Sequence, residues 1–352
     1  MLLGYSSRGE EVRTAQNVAN GHVVVTGMSG MGKSCELLGS IADQVAHDQT
    51  VIFFDFDGTF GGEPLFPINR IDAKEDGLAI HILEEDAHKM DRVEFIAYVS
   101  QVVEMLVGAQ NLGIRQIGAL REAVEYATEY RKNYRSDFEA IADGLHIQET
   151  SYALGAYNKL WPILEAGVFR ESPKKFISGV CNVIDLSILP EKMQNSFVEI
   201  ILRTLWSQAR KNRCNNCNLT IVIDEFQRLV LNKNAVLGEM LREARRFGIN
   251  MVLATQSLNL FSGDIRSSIE QAATKIYFRP TDSEIKKAAS LIDPQHIEKY
   301  ILMLKNLRRG QAIVVGRVQV GGQVIDKPII IRNRPMDIER YHVKMPLGIS
   351  SS

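Results

Sequence analysis

Eight residues near the N-terminus have the types and spacing that phosphate binding requires. Gly27 is followed by four residues of other types and then by Gly32, Lys33 and Ser34. Glycines let backbone N–H groups curl around phosphate oxygens, and a helix N-terminus favours negative charge. In this Walker A pattern the lysine reaches the β- and γ-phosphates, and the serine hydroxyl binds Mg²⁺. The sequence therefore predicts an ATP and Mg²⁺ site. Its predicted binding residues are Gly27, Met28, Ser29, Gly30, Met31, Gly32, Lys33, Ser34 and Cys35.

A second pair of candidate residues ends an apolar segment much later in the chain. Asp224 and Glu225 directly follow residues 219–223, which read Leu-Thr-Ile-Val-Ile. This Walker B arrangement predicts that Asp224 holds Mg²⁺, directly or through water, and that Glu225 orients and deprotonates the attacking water. Many buried strands end in acidic residues. Paired with the phosphate loop, however, these two carboxylates favour a hydrolase over a passive nucleotide binder.

A third acidic motif suggests different chemistry. Residues 54–59, Phe-Asp-Phe-Asp-Gly-Thr, resemble the first motif of haloacid dehalogenase-like phosphatases, in which the residue at the position of Asp55 is the nucleophile. A complete phosphate loop precedes this motif by one helix, and no later paired-aspartate motif follows it. We therefore interpret Asp55 and Asp57 as part of a turn at the carboxyl edge of the second strand, beside the ATP.

Composition bounds the class of protein. The chain has 352 residues, of which 45% are hydrophobic and 24% charged, as in an ordinary globular protein. It contains no apolar run of the roughly 18 residues that a membrane span needs and no signal peptide, so we expect a cytoplasmic location without membrane insertion. A net charge of −1 gives no general attraction to nucleic acid, so a DNA partner requires a locally basic surface. Cys214 and Cys217 form a single CxxC pair, which is too few ligands for a closed zinc site.

The segments that must position these residues alternate between two periodicities. Apolar β-branched runs alternate with amphipathic stretches, which predicts an α/β fold with a mostly parallel, buried sheet. The predicted strands are residues 22–26, 50–54, 176–185, 219–224, 250–255, 274–278 and 311–316, followed by a C-terminal β-hairpin whose last strand is 323–332. The predicted helices of this core are residues 33–46, 191–211, 234–247, 265–273 and 283–291.

The strand pattern stops in the middle of the chain. Residues 91–107 and 111–131 have helical apolar spacing, Ser136 and Glu139 form a capping-box pattern, and Trp161-Pro162 is predicted to interrupt a further helix. We therefore predict an inserted all-helical subdomain at residues 86–170. It divides the ATPase core into residues 1–85 and 171–339, and residues 340–352 form a tail.

The order of these motifs resembles the HerA/FtsK superfamily of RecA-like P-loop ATPases. The most diagnostic piece is Arg242-Glu-Ala-Arg-Arg-Phe-Gly248 followed by Ala254-Thr-Gln-Ser257. The resemblance implies that Gln256 senses the γ-phosphate or the water, and that Arg245 enters a neighbouring subunit's site, with Arg246 as the alternative register. Basic residues in the last turn of a helix are also favoured by the helix dipole alone.

The resemblance implies three alternative functions. The first is a homo-oligomeric ring motor, hexameric as in this superfamily, that translocates or unwinds double-stranded DNA together with a nuclease partner. The second is a conjugation or type IV secretion ATPase that moves protein or nucleoprotein with secretion-system partners. The third is an ATP-gated scaffold for an effector complex. The basic residues of the insertion, Arg121, Arg131, Lys132 and Arg135, are candidate contacts to the cargo, although such a run can also be a solvated helix face.

Overall fold

A computed structural model describes most of the chain. The described residues are 1–15, 18, 20–58, 66–78, 80–84, 87–109, 112–169, 174–211, 218–229, 235–258 and 269–333. The predicted tail at 340–352 and the Cys214/Cys217 pair lie outside these ranges. No helix among the described residues is both long enough and apolar enough to cross a membrane.

Thirteen strands of the described part form one sheet. They are β1 (Leu2–Tyr5), β2 (Glu11–Thr14), β3 (Val23–Thr26), β4 (Thr50–Asp55), β5 (Ile68–Asp72), β6 (Cys181–Asp185), β7 (Leu219–Ile223), β8 (Ile249–Thr255), β9 (Thr274–Phe278), β10 (Gln311–Val315), β11 (Val318–Val320), β12 (Gln323–Ile325) and β13 (Ile329–Arg332). Their order across the sheet is β12-β11-β2-β1-β13-β10-β9-β3-β8-β7-β4-β6-β5. The strands from β9 to β5 are parallel to one another, and the others pair antiparallel. The fold is the predicted RecA-like α/β architecture.

Helices cover both faces of the parallel strands. They are α1 (Lys33–Val45), α2 (Arg92–Ala109), α3 (Ile114–Tyr130), α4 (Asp137–His146), α5 (Ser151–Leu164), α6 (Glu191–Lys211), α7 (Val236–Glu243), α8 (Ile285–Ile292) and α9 (Ile297–Asn306). Val23 and Val25 of β3 lie in the same apolar cluster as Ile41 of α1. Val24 lies in the cluster on the opposite face, together with Phe197 of α6. Burial on both faces explains why these strands read as continuous apolar runs.

The antiparallel end of the sheet differs from the prediction. The expected single strand at 323–332 is wrong: β12 pairs with β11, whereas β13 pairs with β10. Pro328 lies between them, and a proline has no N–H to donate to a strand ladder. The strands β1, β2, β5 and β11 were not predicted, because runs of three to five residues carry little periodicity.

Three other predicted elements have different bounds in the structure. The strand at 176–185 begins only at Cys181, because Gly179 adopts φ 74° and the side chain of Asn182 bonds to the backbone of Ile177. The helix at 234–247 is α7 followed by a 3₁₀ turn, Ala244–Phe247. Of the helix expected at 265–273, residues 265–268 lie outside the described part, and only Ile269 and Glu270 are helical. The helix α9 was not predicted.

The segment between β5 and β6 contains α2, α3, α4 and α5, and it packs directly on the core. Phe169 stacks on Phe138 of α4 at 4.1 Å between ring centroids and contacts Phe197 of α6 at 5.1 Å. Ser136 caps α4 as expected, since its Oγ accepts from the N–H of Glu139 at 3.1 Å. The carboxylate of Glu139 accepts instead from the N–H of Arg135, one residue before the cap.

The expectation that Trp161-Pro162 interrupts a helix is wrong. The helix α5 continues through Pro162 to Leu164. Proline removes one backbone donor, but the last turn still closes because the N–H of Glu165 donates to the carbonyl of Trp161 at 3.0 Å.

Candidate active site

The candidate residues follow four neighbouring strands at the same edge of the sheet. The phosphate loop follows β3, Gln256 follows β8, Asp224 and Glu225 follow β7, and Asp57 lies beyond β4. These strands are adjacent in the order β3-β8-β7-β4. The carboxyl edge of an open parallel sheet is where such folds bind ligands. The topology therefore brings residues that are about 230 positions apart to one place.

Two glycines of the phosphate loop occupy positions that a side chain could not. Gly27 has φ 148°, and a Cβ there would meet the Cβ of Phe278 at 2.5 Å. Gly32 has φ 113°, and a Cβ there would lie 2.9 Å from Nδ2 of Asn333. Nδ2 of Asn333 donates to the carbonyl of Gly32 at 2.6 Å, so the residue that follows β13 directly supports the loop. Glycine is required here both for the backbone conformation and for the close approach.

A cleft of about 430 Å³ lies against this loop. It is lined by Ser29, Gly30, Gly32, Lys33, Ser34, Cys35, Leu37, Leu38, Phe53, Phe54, Asp55, Phe56, Asp57, Asp224, Glu225, Gln256 and Arg309. Three of the predicted binding residues, Gly27, Met28 and Met31, are not among the lining residues. The backbone of Met28 faces Arg279 and Lys33, whereas the carbonyl of Met31 accepts from the N–H of Gly310 at 2.8 Å.

Lys33 and Asp224 place opposite charges at the cleft wall. Nζ of Lys33 donates to the carbonyl of Met28 at 3.1 Å, which bends the side chain back over its own loop. Burial lowers the pKa of Lys33, and the carboxylates of Asp224 and Glu225 oppose that shift. Burial raises the pKa of Asp224, and the ammonium of Lys33 opposes that shift. Each group therefore stabilises the charged form of the other.

The arrangement of Ser34 and Asp224 fits a magnesium ion that also contacts a nucleotide. Oγ of Ser34 and Oδ2 of Asp224 are 3.5 Å apart, and Ser34 is exposed to the cleft. Among the described residues there is no cluster of three or more His, Cys, Asp or Glu side chains that could hold a metal alone. Mg²⁺ commonly binds one or two protein oxygens and completes its shell with phosphates and water. The two oxygens of Ser34 and Asp224 match this mode of Mg²⁺ coordination.

Glu225 is held in place by two neighbours. Its backbone adopts φ 56°, a left-handed conformation that is rare for a residue with a side chain. Oε1 accepts from Nε2 of Gln256, and Oε2 accepts from Nε of Arg228 at 3.1 Å. Gln256 therefore contacts the predicted catalytic carboxylate directly. The predicted roles of both residues stay predictions.

Arg245 is the one predicted catalytic residue that does not line the cleft of its own chain. It lies in the 3₁₀ turn Ala244–Phe247, exposed to solvent, as is Arg246. Neither residue lines the cleft. Gly248, with φ 68°, ends the turn and leads into β8. The predicted role of Arg245 in a neighbouring subunit's site stays a prediction.

Two arginines were not predicted, one that lines the cleft and one that is bonded to two of its carboxylates. Arg309 lines the cleft from the turn between α9 and β10, and Arg228 pairs with both Glu225 and Asp57. The pair Arg309-Gly310 before a predicted strand was the available signal, because Gly310 has φ 77° and its N–H bonds to the phosphate loop. Arg228 lies three residues after Glu225, a spacing that permits contact in a helical turn.

Comparison with known proteins gives distant relatives and neighbours. No family model matches the chain. The DNA double-strand break repair helicase HerA of Sulfurisphaera tokodaii is 23% identical over 335 residues, which cover 88% of this chain and 65% of that protein. HerA of Sulfolobus acidocaldarius is 21% identical over 88% of this chain, again spanning 65% of the relative. The chain thus spans just under two thirds of the length of these relatives.

Solved structures share the whole fold. VirB4 of Thermoanaerobacter pseudethanolicus matches with a TM-score of 0.70 at 14% identity, covering 97% of this chain and 98% of that one. The plasmid coupling protein TrwB in complex with ADP and Mg²⁺ matches with a TM-score of 0.59 at 14% identity, covering 90% and 86%. The chain thus shares its fold with VirB4 and with the coupling protein TrwB, and its sequence is similar to that of HerA.

Proposed function

We propose that this chain is the Mg²⁺-dependent ATPase of a ring-shaped motor that moves double-stranded DNA. The observation that carries the proposal is the convergence of Lys33, Ser34, Asp224 and Glu225 on one cleft. A phosphate loop, two metal-binding oxygens and a carboxylate beside them are the parts that ATP hydrolysis requires. The complex of TrwB with ADP and Mg²⁺ supports the choice of nucleotide and metal.

The residues of the cleft divide the work of binding. The backbone N–H groups of the phosphate loop and the ammonium of Lys33 would hold the β- and γ-phosphates. Ser34 and Asp224 are the residues that would hold Mg²⁺. Bound there, the ion neutralises negative charge on the phosphate oxygens.

The hydrolytic step is assigned to Glu225 and Gln256. Glu225 would accept a proton from water, whose oxygen forms a bond to the γ-phosphorus. The bond from that phosphorus to the β–γ bridging oxygen breaks, and ADP and phosphate leave. Gln256, which already contacts the Glu225 carboxylate, would orient the water or sense the γ-phosphate. Arg245 would come from the adjacent subunit of a homo-oligomer, which we propose to be a hexameric ring in the cytoplasm.

DNA is the proposed cargo because the sequence relatives are described as DNA repair helicases. A nuclease is then the partner class that a break-repair motor would serve. One alternative is that the cargo is protein or nucleoprotein in a conjugation or secretion system. The other is that the chain is an ATP-gated scaffold. Each alternative predicts a different result in the same assay. Both therefore serve as alternative outcomes of the test.

Steady-state ATP hydrolysis with and without linear double-stranded DNA tests the proposal. We expect Mg²⁺-dependent turnover that rises when DNA is added, and no turnover by Glu225→Gln. Displacement of a triplex-forming strand from the same DNA would demonstrate movement along the duplex. Turnover that ignores DNA would favour protein cargo, and ATP binding without turnover would favour the scaffold. Absence of ATP binding would refute all three functions.

A further inference from the structure

The predicted catalytic carboxylate is part of a larger ionic cluster that the sequence motifs do not include. Oε2 of Glu225 accepts from Nε of Arg228 at 3.1 Å and lies 3.0 Å from its Nη2. The same Nη2 donates to Oδ1 of Asp57 at 3.3 Å. Oε1 of Glu225 accepts from Gln256. We call Asp57, Arg228, Glu225 and Gln256 the carboxylate clamp.

Arg228 is itself fixed by its surroundings. It ends the 3₁₀ turn Phe226–Arg228, whose first residue is fully buried in the core. Its guanidinium lies 5.4 Å from the ring centroid of Phe56, and its side chain is 23% exposed. The carbonyl of Phe56 accepts from Nε2 of Gln194 at 3.1 Å, and that amide also bonds to the carbonyls of Leu186 and Leu189. The turn beneath the guanidinium is therefore tied to α6.

The geometry suits an arginine. A guanidinium is planar and always charged, and its five donors can bond two carboxylates at once. Burial lowers the pKa of Arg228, but the carboxylates of Asp57 and Glu225 outweigh it and the pKa is raised. A lysine has a single nitrogen and lacks the planar fork with which Arg228 bonds Glu225 through both Nε and Nη2.

We propose that Arg228 and Asp57 are positioning residues for ATP hydrolysis, which hold the Glu225 carboxylate in its reactive orientation. The inference rests on the proposed function. Glutamate has three side-chain torsions, so a carboxylate held from one side only samples several rotamers. Misplacing a reacting group by about 1 Å can lower a rate by roughly 10²-fold. Asp57 acts through Arg228, and this assigns a role to the acidic turn that resembles a phosphatase motif.

The test compares kcat and KM for ATP in four variants. Arg228→Gln should lower kcat by roughly 10- to 100-fold, by the misplacement argument, and leave KM for ATP within about threefold. Arg228→Lys should recover part of the loss. Asp57→Asn should lower kcat less than Arg228→Gln. In the Arg228→Gln background, Asp57→Asn should have no further effect, because the residue through which it acts is gone.

Arg203→Gln is the matched control. It also removes an arginine that bonds a glutamate in the same element, with a side chain 17% exposed, but it lies on α6 away from the cleft. We expect it to change the melting temperature and not kcat. A melting curve and an ATP titration for each variant separate misplacement from unfolding. Should Arg228→Gln fail to fold, Asp57→Asn still tests the inference, since the Asp57 side chain is 58% exposed.

The outcomes distinguish the inference from the proposed function. If wild-type protein hydrolyses ATP and both Arg228→Gln and Asp57→Asn retain its kcat, the positioning role is wrong and the ATPase stands. A rise in kcat for Arg228→Gln would also overturn the inference, because it would mean that Arg228 holds the Glu225 carboxylate in an unreactive orientation. Equal losses from Asp57→Asn in both backgrounds would show that Asp57 acts independently of Arg228. If the wild type does not hydrolyse ATP, both conclusions fall together.

Discussion

Lys33 and Glu225 lie in one cleft, and the roles proposed for them concern different parts of the reaction, so their variants should fail differently. Lys33→Ala removes the charge that faces the phosphates, and we expect it to weaken ATP binding. Glu225→Gln keeps the shape and can still accept from Arg228, but it cannot take a proton from water. It should bind ATP with unchanged affinity and lose turnover. A fluorescent-nucleotide titration and a phosphate-release assay measure the two quantities. Parental turnover by Glu225→Gln would show that another group is the base.

Arg309 gives a second prediction at the residue scale. It lines the cleft from a turn whose glycine is bonded to the phosphate loop, so its charge would face a bound polyphosphate. Arg309→Ala should weaken ATP binding by roughly 10- to 150-fold, since a hydrogen bond to a charged group contributes roughly 1.5–3 kcal/mol. Arg308→Ala is the control, because Arg308 is exposed and does not line the cleft. Equal affinities of the two variants would exclude a nucleotide contact by Arg309.

At this scale the sequence predicts site residues that are neighbours along the chain, and it misses those that only the folded sheet brings together. Gly32, Lys33 and Ser34 are recognisable because their spacing along the chain is their spacing in space. Arg309 reaches the cleft only because β10 lies next to β9 in the sheet. The sequence predicts the edge of the sheet at which Asp57 lies. It does not predict that Arg228 is its partner, because that contact depends on β4 and β7 being neighbours in the sheet.

Just before β3, a buried histidine makes stability depend on pH. Nδ1 of His22 accepts from the N–H of Met251 at 3.1 Å, and burial lowers the pKa of the ring to about 4. The unfolded chain binds a proton near pH 6.5, so the folded state loses stability as pH falls from 6.5 to 4. The full loss is of the order of 3 kcal/mol, at about 1.4 kcal/mol per pKa unit.

His22→Asn tests this dependence. Asparagine can accept from the same N–H and does not titrate, so its free energy of unfolding should change less steeply between pH 4 and pH 6.5. The smaller side chain leaves a void that shifts the whole curve, and only the difference in slope is diagnostic. Urea denaturation at several pH values measures both proteins. Parallel curves would mean that His22 does not titrate on unfolding.

Three of the four basic residues predicted to contact DNA can be replaced without breaking a buried ion pair. Arg131 donates to the buried carboxylate of Asp137 at 2.7 Å, so replacing it would damage the fold. Arg121, Lys132 and Arg135 are exposed. Changing these three to Glu should weaken DNA stimulation and reduce the salt dependence of DNA binding. The slope should fall by roughly 0.9 for each DNA phosphate that the protein no longer neutralises.

A matched control has the same change in net charge. Lys286, Lys299 and Lys305 are exposed on α8 and α9, and their replacement by Glu tests for a general electrostatic effect. Filter binding at several salt concentrations compares the two triple variants. If DNA affinity falls equally in both, the insertion has no specific role in DNA binding.

Element by element, predictability follows length and burial. β3, β7 and β9 are found within one residue of their predicted ends because they are mostly buried and rich in β-branched and aromatic residues. β1 and β2 have four residues each; they pair with each other, and β13 and β11 pair with their outer edges. No local pattern records partners that lie some three hundred residues away.

At the scale of the whole molecule, Arg245 predicts shared active sites. It is exposed and absent from the cleft of its own chain, so a catalytic role requires a second subunit. Arg245→Ala should bind ATP and lose most turnover, because a trans arginine can contribute roughly 10³–10⁵ in rate. Mixing it with Lys33→Ala should restore some activity, since one interface can contain an intact Lys33 and an intact Arg245.

Concentration dependence supplies the complementary measurement. Specific activity should rise with protein concentration as subunits associate, and analytical ultracentrifugation should follow the same midpoint. Arg246→Ala distinguishes the alternative register. A monomer with full activity at every dilution would contradict a shared site, whatever the mixing experiment gave.

The hydrogen bond between Asn333 and Gly32 has a consequence for synthesis on the ribosome. The two residues are 301 positions apart, yet the side-chain amide of Asn333 supports the backbone of the phosphate loop at Gly32. The loop emerges early in translation, whereas Asn333, directly after β13, emerges some three hundred residues later. At about 5–20 residues per second, that interval is roughly 15 to 60 seconds. A nascent chain therefore presents a phosphate loop without its support throughout this time, and nucleotide can stabilise the complete fold only after β13 and Asn333 have left the exit tunnel.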